Sequence, residues 1–552
     1  MQKKGAEIIV ETLINHGVKD VFGFPGGSVL DLYDALYRNS DRINHFITCH
    51  EQGAAHAADG YARATGKVGV VIATSGPGAT NLVTGLATAY LDSVPMVAIT
   101  GNVPLPLIGK DSFQEVDIAG ITMPITKHNY FVRNVGELED IICEAFQVAA
   151  SGRPGPVLID VPKNMQFEVC EFNGGKPLPL QKQAEVSDEV LREIAEIVNG
   201  SKRPYIYCGG GVVTSDSHAE LMAFAEKIDA PIGCSMMGRS AVPASHRLAL
   251  GMTGMHGTYA SSKMKADADV VIGVGVRFSD RATGDKGAYE KDTKIIHIDI
   301  DDAEIDKNIK TDCNVIGDMR DILARLAKMV DAAKRDEWNA MAEKYKKFAD
   351  GKFNGEGFNP RNIVRMVREH AGEDCVVATD VGQHQMWAAQ YYDFEKPRTF
   401  LTSGGLGTMG FGVGAANGAS AATGASKVVL FTGDGSFHMN MAEVATAVRY
   451  KLPIVVILMN NGVLGMVRQW QGIFYEGRYS QTTMERPTDY VKLAESLGAI
   501  GYDARSEAEL EVALKAAFEQ DEPVVVNCVI EREEKVLPMI PPGRAVADMI
   551  ID

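Results

Sequence analysis

Two short polar segments in the last third of the chain combine the residue types of a metal–phosphate site. Gly433-Asp434-Gly435 follows an apolar run at 427–431, and Asn460-Asn461 follows another at 453–459, with 24 residues (436–459) between the two segments. The carboxylate of Asp434 and the amide oxygen of Asn461 are hard donors that suit Mg²⁺, which takes phosphate oxygens and water as its other ligands. The glycines let the backbone approach a ligand, and a helix that begins there favours phosphate. Each residue alone is more often an ordinary turn or cap, but together these donor types indicate a bound metal and phosphate.

An earlier segment has the same layout with different polar residues. The turn Ser-Gly-Pro-Gly at 75–78 follows an apolar run at 67–73, and a helical stretch then leads to Pro95. The first glycine of the turn and the later proline are 19 residues apart here (76 to 95) and 20 in the later segment (433 to 453). This similarity indicates two copies of one fold. Because Pro77 occupies the place of Asp434, only the later copy can hold a metal, whereas only the earlier copy has a glutamate, Glu51, after its second strand. We expect one cofactor, held at its two ends by two related domains.

Strands and helices of similar length alternate along the chain, which predicts parallel α/β sheets. We expect domains at 1–168, 190–335 and 361–530, joined by linkers at about 166–190 and 334–360. A tail at 531–552 follows, which either covers a site or hangs loose. The middle domain has a glycine turn at 209–211 after its first strand, but no clean G-x-G-x-x-G, so its nucleotide signal is weak. The predicted fold class is α/β, with three domains built on parallel sheets flanked by helices.

Composition excludes several kinds of partner and location. Of 552 residues, 45% are hydrophobic and 23% charged, as in ordinary globular proteins. The net charge of −17 argues against nucleic acid or an anionic membrane as partner. Eight cysteines without a C-x-x-C pair favour reduced thiols over disulfides or zinc. With no signal-peptide pattern and no apolar run of membrane length, we expect a soluble cytoplasmic protein.

Motifs along the whole chain resemble those of acetohydroxyacid synthase (acetolactate synthase), biosynthetic catalytic subunit. The GDG and NN segments are a signature of enzymes that use thiamin diphosphate (ThDP), whereas the most discriminating motifs are Arg277-Phe-Ser-Asp-Arg281, Phe113-Gln114 and Gln469-Trp470-Gln471. The resemblance implies a ThDP-binding fold in the first and third domains and a Rossmann-like, FAD-binding middle domain. It also implies a homodimer or tetramer with active sites between one subunit's first domain and its partner's last, and a small regulatory subunit.

The implied reaction decarboxylates pyruvate and joins the remaining two-carbon unit to a second 2-keto acid. Pyruvate as acceptor gives 2-acetolactate, and 2-ketobutyrate gives 2-aceto-2-hydroxybutyrate, at the first committed step of branched-chain amino acid (isoleucine, valine, leucine) biosynthesis. FAD does no net redox work in this family. The resemblance implies that Glu51 hydrogen-bonds the cofactor's pyrimidine ring and that Arg281 pairs with the second substrate's carboxylate. It also implies that Trp470 contacts the extra methyl of 2-ketobutyrate.

The resemblance assigns the remaining site residues by position. The catalytic set is Glu51, Gln114, Lys163 and Arg281, and the substrate pocket is Phe113, Val467 and Trp470. The ThDP contacts are Gly26, Glu51, Gly78, Val381, Gly382, Gln383, His384, Met409, Gly433, Gly435, Ser436 and Met466. The Mg²⁺ ligands are Asp434, Asn461 and the carbonyl of Val463. The FAD contacts are Arg153, Gly209, Gly210, His256, Gly275, Arg277, Asp299 and Asp318.

The chain departs from the family pattern at two positions, and alternative functions stay open. Ser279 replaces the first aspartate of the usual R-F-D-D-R, which removes an expected FAD contact, and Ser28 replaces a common alanine. One alternative is an FAD-free catabolic acetolactate synthase or another ThDP-dependent 2-keto acid decarboxylase, against which Arg281 and Trp470 argue. A flavin- or NAD-dependent oxidoreductase is disfavoured by the weak glycine turn. A non-catalytic regulatory or binding subunit is disfavoured by an intact Glu51.

Overall fold

Three parallel β-sheets of six strands each organise the chain, as a computed structural model describes it over residues 1–424, 426–484 and 486–552. The α/β fold class with three helix-flanked parallel sheets is therefore confirmed. Every strand pair within these sheets is parallel, and most residues of the interior strands are buried, because helices cover both faces.

The N-terminal elements carry the first sheet, in the order β3-β2-β4-β5-β7-β6. They are β1 (Gln2–Lys4), α1 (Gly5–Asn15), β2 (Asp20–Phe24), α2 (Leu30–Arg38), β3 (Asn44–Ile47), α3 (Glu51–Thr65), β4 (Gly69–Ala73), α4 (Pro77–Thr80), α5 (Val83–Leu91), β5 (Met96–Asn102), α6 (Ile118–Thr122), β6 (His128–Phe131), α7 (Leu138–Ala150), β7 (Pro156–Pro162), α8 (Lys163–Phe167) and β8 (Val169–Glu171).

The middle elements carry the second sheet, in the order β11-β10-β9-β12-β13-β14. They are α9 (Asp188–Gly200), β9 (Pro204–Cys208), α10 (Gly210–Thr214), α11 (His218–Ile228), β10 (Ile232–Cys234), β11 (Ala249–Met252), α12 (Tyr259–Asp267), β12 (Val270–Val274), α13 (Asp280–Thr283), α14 (Lys286–Glu290), β13 (Lys294–Asp299), β14 (Cys313–Ile316), α15 (Met319–Met329) and α16 (Asp336–Phe353).

The C-terminal elements carry the third sheet, in the order β16-β15-β17-β18-β20-β19. They are α17 (Pro360–Ala371), β15 (Val376–Thr379), α18 (Gln383–Tyr391), β16 (Phe400–Leu401), α19 (Gly412–Thr423), β17 (Val428–Gly433), α20 (Asp434–Asn440), α21 (Glu443–Tyr450), β18 (Ile454–Asn460), α22 (Gly465–Phe474), α23 (Tyr490–Ser496), β19 (Ile500–Ala504), α24 (Glu507–Glu519) and β20 (Val524–Val529).

The first and third sheets share one topology, which differs from that of the middle sheet. When the strands are numbered within each six-stranded sheet, which leaves out β1 and β8, both sheets have the order 2-1-3-4-6-5, as expected of two copies of one fold. The middle sheet has the order 3-2-1-4-5-6 of dinucleotide-binding folds, whose ligands bind where the strand order reverses, here between β9 and β12.

Helices α3 and α19 join the first domain to the third at very short range. A Cβ added to Gly60 of α3 would lie 2.1 Å from the carbonyl oxygen of Ala415, and one added to Gly418 of α19 would lie 1.8 Å from that of Ala57. Only glycine fits at these two contacts, so the small residues of both helices bring their backbones together. The two domains of one chain therefore pack as a unit.

The predicted linkers and tail are more ordered than the sequence indicated. The segment after residue 168 begins with β8, which pairs antiparallel with β1, and α16 buries Trp338, whose indole N–H donates to the carbonyl of Pro204 (2.9 Å). Helix α16 therefore packs on the middle domain. The tail is docked, since Val536 and Met539 are fully buried and the N–H of Ile540 donates to the carbonyl of Met255 (2.8 Å). The domain limits themselves stay a prediction.

Candidate active site

The carboxyl ends of β15, β17 and β18 bring the predicted metal–diphosphate residues to one edge of the third sheet. Gly433 pairs with Met459 in the ladder between β17 and β18, so Asp434 and Asn460-Asn461 leave neighbouring strands at the same level. The segment 380–384 leaves β15 beside them, because Thr379 pairs with Phe431.

Asp434 lies buried at the start of α20 beside Asn461. The backbone N–H groups of residues 434, 435 and 461 donate to its carboxylate, yet burial raises the pKa of Asp434 to about 6. Asn461 Oδ1 accepts the N–H of Val463 (3.1 Å), which turns the chain back over the site. A buried carboxylate that ionises reluctantly next to an amide oxygen fits a divalent cation. Among the described residues no three His, Cys, Asp or Glu side chains cluster as metal ligands, so a metal here needs the amide, carbonyl and phosphate oxygens that the sequence predicted.

The segment that follows β15 supplies a second wall of this edge. Gln383 Oε1 accepts from Asn461 Nδ2 (3.2 Å), and burial lowers the pKa of His384 to about 3, so its ring is neutral. His384 Nε2 is buried and has no hydrogen-bond partner within the described chain. A Cβ at Gly433 would lie 2.8 Å from His384 Nδ1. Because buried polar atoms usually have a hydrogen-bond partner, this nitrogen suits a ligand oxygen as its acceptor.

The remaining predicted residues of this half-site surround the same edge. Ser436 Oγ donates to the carbonyl of Val381 (3.0 Å), and Gly382 has extended backbone at its φ of 157°. A Cβ at Gly435 would lie 2.7 Å from Leu464 Cδ2, so this glycine is needed for packing as well. Met409 is half-buried in the loop before α19.

Glu51 begins α3 in the first domain, at the carboxyl edge of that sheet. It is 9% exposed, and its Oε2 accepts from Asn81 Nδ2 (2.9 Å). A Cβ at Gly78 would lie 3.1 Å from Glu51 Oε1, and one at Gly26 would overlap the side chain of Thr74 at 2.5 Å. The glycines therefore leave space directly beside the carboxylate. Glu51, Gly26 and Gly78 form one compact group.

Ser28 strengthens this group where the family pattern has alanine. Its Oγ hydrogen-bonds to Thr74 Oγ1 (2.9 Å) and accepts the N–H of Ser75 (2.9 Å), while its carbonyl accepts from Gln166 Nε2 (2.7 Å). The substitution ties the Gly26 loop to the turn that precedes α4.

Three further predicted residues belong to the first domain. Lys163 is half-buried at the start of α8, directly after β7. Gln114 has a φ of 61°, and its Cα is 3.0 Å from a Cβ built on Gly76. Phe113 is 87% exposed, so within one chain it walls no pocket.

A cavity of about 3050 Å³ opens between the middle and third domains and reaches the first. Seven of the eight predicted FAD residues line it: Arg153, Gly210, His256, Gly275, Arg277, Asp299 and Asp318. Gly209 instead packs against backbone, since its Cβ would lie 2.0 Å from the carbonyl oxygen of Gly275. The glycines sit where the strand order reverses, which matches a dinucleotide site.

Individual contacts in this cavity distinguish predicted FAD residues that are available to a ligand from one that already has a structural role. Burial lowers the pKa of His256 to about 4, and its Nδ1 is buried without a partner within the described chain, which fits a ligand. Asp318 instead caps α15, accepting the N–H groups of Arg320 (2.9 Å) and Asp321 (3.2 Å), so it already has a structural role. Ser279 lines the cavity as well.

The predicted substrate residues of the third domain line the same cavity. Trp470, Met466 and Val467 lie on α22, and the guanidinium carbon of Arg281 stands 5.5 Å from the centre of the Trp470 ring. Trp470 Nε1 is buried without a partner in the described chain. A cation stacked on an aromatic face, beside apolar side chains, can hold a small carboxylate with an alkyl group.

The described chain does not bring all predicted site residues together. Glu51, Gln114, Lys163 and Phe113 do not line the cavity that holds Arg281 and Trp470. The Glu51 group and the cavity that holds Arg281 and Trp470 are therefore two separate half-sites within the described chain.

Sequence reasoning missed two residues that hold the half-sites in place. Asp380 follows β15, is fully buried, and accepts the N–H of Gly410 (2.7 Å) and the hydroxyl of Thr432 (3.1 Å). Asp380 stands at a strand end, a signal that was available in the sequence. Glu443 of α21 accepts the backbone N–H groups of Cys49 (3.1 Å) and His50 (3.0 Å) just before Glu51, a contact between domains that no local pattern reveals.

Comparison with known proteins matches all three parts of the chain to one group of enzymes. Residues 3–121 match the thiamine pyrophosphate enzyme N-terminal TPP binding domain, 191–326 match the central domain, and 380–528 match the C-terminal TPP binding domain. The chain is 45% identical to the acetolactate synthase large subunit of Corynebacterium glutamicum, over 99% of this chain and 90% of that protein. It is 44% identical to the probable acetolactate synthase large subunit of Methanocaldococcus jannaschii (99% and 95% covered). It is 42% identical to the acetolactate synthase isozyme 3 large subunit of Escherichia coli (97% and 96% covered).

Proposed function

The chain belongs to the acetolactate synthase large-subunit family of ThDP enzymes, and from this premise we propose how its own residues perform the reaction. The substrates are pyruvate and a second 2-keto acid, pyruvate or 2-ketobutyrate, and the products are an acetohydroxy acid and CO₂. The observation that carries this function is the stacking of Arg281 on Trp470 beside Met466 and Val467. A simple decarboxylase needs no such grip on a second keto acid.

ThDP, when bound, supplies an acidic carbon that adds to the keto group and accepts the electron pair released with CO₂. Glu51 would hydrogen-bond this cofactor through Oε1, which faces the space left by Gly78, while Asn81 fixes its Oε2. A carboxylate that is only 9% exposed can hydrogen-bond a ring nitrogen in that position.

Mg²⁺ is the metal that the donor set at the third-domain edge favours. Asp434, Asn461 and the carbonyl of Val463 offer only oxygen atoms, and His384 is neutral, so it can donate to a diphosphate oxygen through its unpartnered Nε2. Hard oxygen donors with room for phosphate and water suit Mg²⁺ over softer metals.

Selectivity for the second substrate lies with Arg281 and Trp470. The guanidinium binds the carboxylate by two parallel hydrogen bonds, and the indole contacts the methyl group that distinguishes 2-ketobutyrate from pyruvate. One methylene in such a pocket contributes about 1–3 kcal/mol to discrimination. Phe113 and Gln114 complete the pocket when supplied by a second chain.

FAD occupies the large cavity in this proposal and does no net redox work. His256 with its unpartnered Nδ1, and the glycines at the point where the strand order reverses, support this assignment. Ser279 in place of aspartate removes one acidic contact, so we expect the chain to hold FAD less tightly than relatives that keep the aspartate.

The separation of the two half-sites supports a homodimer or a tetramer of dimers. Glu51 from one subunit would face the Asp434 edge of its partner, and the exposed Phe113 would then be covered. The relatives are named large subunits, and we extend the proposal to a small regulatory partner. A role in branched-chain amino acid synthesis and a cytoplasmic location stay predictions. No helix in the described ranges is long and apolar enough to cross a membrane.

Two inactive variants test the shared site. Glu51→Gln and Asp434→Asn should each abolish acetolactate formation with ThDP, Mg²⁺ and pyruvate. Mixing them after reversible dissociation should restore activity, because a hybrid dimer has one site with both wild-type residues. Restoration to about a quarter of the wild-type rate is expected when half of the dimers are hybrids and one of their two sites works. No restoration despite proven subunit exchange would place each site within a single chain.

A further inference from the structure

Asp92, at the end of α5, is buried against a loop of another domain. Its Oδ1 accepts the backbone N–H of Gly405 (2.7 Å), and its Oδ2 accepts that of Gly404 (3.1 Å). These glycines begin the loop that leads to Met409 in the third domain. The side chain of Asp92 is fully inaccessible to solvent, although the two glycines are exposed. A first-domain carboxylate thus holds a third-domain loop by two consecutive amides.

A buried arginine of α3 fixes the Asp92 carboxylate. Arg63 Nη2 donates to Asp92 Oδ2 (3.0 Å), its Nε pairs with Asp59, and its Nη1 donates to the carbonyl of Thr402 (2.9 Å). Burial lowers the pKa of Arg63 and the two carboxylates raise it, with a net upward shift, so the guanidinium stays charged. Two carboxylates face one guanidinium, and the glycine amides provide the remaining donors that the excess negative charge requires.

The far part of the loop is held by the same two domains. Thr88 Oγ1 of α5 hydrogen-bonds to Thr408 Oγ1 (2.7 Å), and Asp380 accepts the N–H of Gly410 (2.7 Å). Met409 therefore lies between two fixed neighbours. If Asp92 released Gly404 and Gly405, a buried carboxylate would lose two donors, a loss that shifts the docked-to-released ratio by roughly tenfold to a hundredfold.

We propose that Asp92 is a positioning residue, whose carboxylate, fixed by Arg63, docks the loop at 403–410 so that Met409 supports the bound cofactor. Asp92 touches neither cofactor nor substrate in this role and acts through the loop. The inference rests on the proposed function only for the identity of the cofactor that Met409 meets. The docking of the loop is independent of it.

The turn at 91–93 extends this role to the large cavity. The carbonyl of Leu91 accepts from Arg277 Nη1 (2.5 Å), and Ser93 Oγ accepts from Arg153 Nε (2.8 Å). Arg277 and Arg153 both line the cavity proposed for FAD. A ligand that draws either arginine into the cavity therefore pulls on the turn that carries Asp92. Loop docking should respond to FAD as well as to ThDP.

The test compares Asp92→Asn with Asp216→Asn in the full-length protein. Asparagine at 92 keeps one acceptor but turns an NH₂ group toward Arg63 or a glycine amide, whereas Asp216 is a half-exposed partner of Arg398 (2.9 Å) that does not touch the loop. Hydrogen exchange by mass spectrometry should show the amides of 402–411 exchanging at least about tenfold faster in Asp92→Asn than in wild type or the control. The Kd of ThDP, followed by tryptophan fluorescence, should rise by a similar factor, while the KM for pyruvate stays within about twofold.

The possible results either support or overturn the positioning role of Asp92. Unchanged exchange at 402–411, or faster exchange spread equally over all three domains, would overturn the positioning role. If Asp92→Asn does not fold, Thr88→Val is the second variant, because it removes one loop contact without touching the buried charges. Thr88→Val should speed hydrogen exchange at 402–411 and weaken ThDP binding in the same way. Wild-type behaviour of this variant would then overturn the proposal. If the wild type makes no acetolactate but the loop and the Kd of ThDP still respond, the proposed function fails and the positioning role stands.

Discussion

Replacing Asp380 by asparagine should change how the stability of the third domain depends on pH. Burial raises the pKa of Asp380 from 3.8 to about 6, despite the hydrogen bonds from Gly410 and Thr432. Between these two values the folded state binds more protons than the unfolded state, so stability falls as the pH rises through this window. The full cost of ionising the group is about 3 kcal/mol, since 2.2 pKa units correspond to about 1.36 kcal/mol each. Integrated from about pH 5 to about pH 7.5, the loss is about 1.4 kcal/mol.

Urea unfolding of cofactor-free protein at these two pH values measures the effect, with Trp387 of α18, buried in the same domain, as a fluorescent reporter. The free energy of unfolding of wild type minus that of Asp380→Asn should be lower by about 1.4 kcal/mol at the higher pH. Asp503→Asn, at an exposed aspartate of β19, should show no such change. A difference that is independent of pH, or one that grows with pH, would refute the argument that burial dominates at Asp380.

Three further variants test the catalytic carboxylate, the specificity pocket and the packing of α3 on α19. Glu51→Gln should abolish turnover while the Kd of Mg²⁺-diphosphate, measured by calorimetry, stays nearly unchanged; loss of both would mean that the residue is structural. Trp470→Leu should lower the preference for 2-ketobutyrate over pyruvate by roughly tenfold in competition assays with both acids present, because about 1–3 kcal/mol of contact is lost; an unchanged product ratio would remove Trp470 from the specificity pocket. Gly60→Ala should destabilise the protein by about 3 kcal/mol or more in thermal unfolding, since its Cβ would lie 2.1 Å from a backbone oxygen of Ala415; a stability equal to wild type would contradict the close packing of α3 on α19.

The sheets were predictable because parallel strands covered on both faces are continuous apolar runs. The run at 453–459 became β18 with bounds within one residue, and the first strand of the middle domain, expected before the glycine turn at 209–211, is β9. Asn460-Asn461 and that glycine turn stand at strand ends as expected. The polar residues at those ends were identified for the same reason, since parallel strands end at one edge. The repeat of the fold was visible in the matching turn-to-proline spacing.

The features of the fold and the site that the sequence did not predict depend on contacts that no local sequence pattern contains. The single helical stretch expected between the turn at 75–78 and Pro95 is two helices, α4 and α5. Helix α16 was taken for a linker because its surface is polar, and only Trp338 and Ala342 are buried in it. Asp92 looks like an ordinary residue after a helix until Gly404, more than three hundred residues later, is seen against it.

The stoichiometry of pyruvate consumption distinguishes a carboligase from a decarboxylase and from an oxidoreductase. Purified protein with ThDP, Mg²⁺ and FAD should convert [¹³C]pyruvate to 2-acetolactate, observed by NMR, and release one CO₂ for every two pyruvates consumed, with no electron acceptor required. One CO₂ per pyruvate with acetaldehyde as the product would show a decarboxylase, and dependence on an electron acceptor would show an oxidoreductase. Either result would contradict the assignment of Arg281 and Trp470 to a second keto acid.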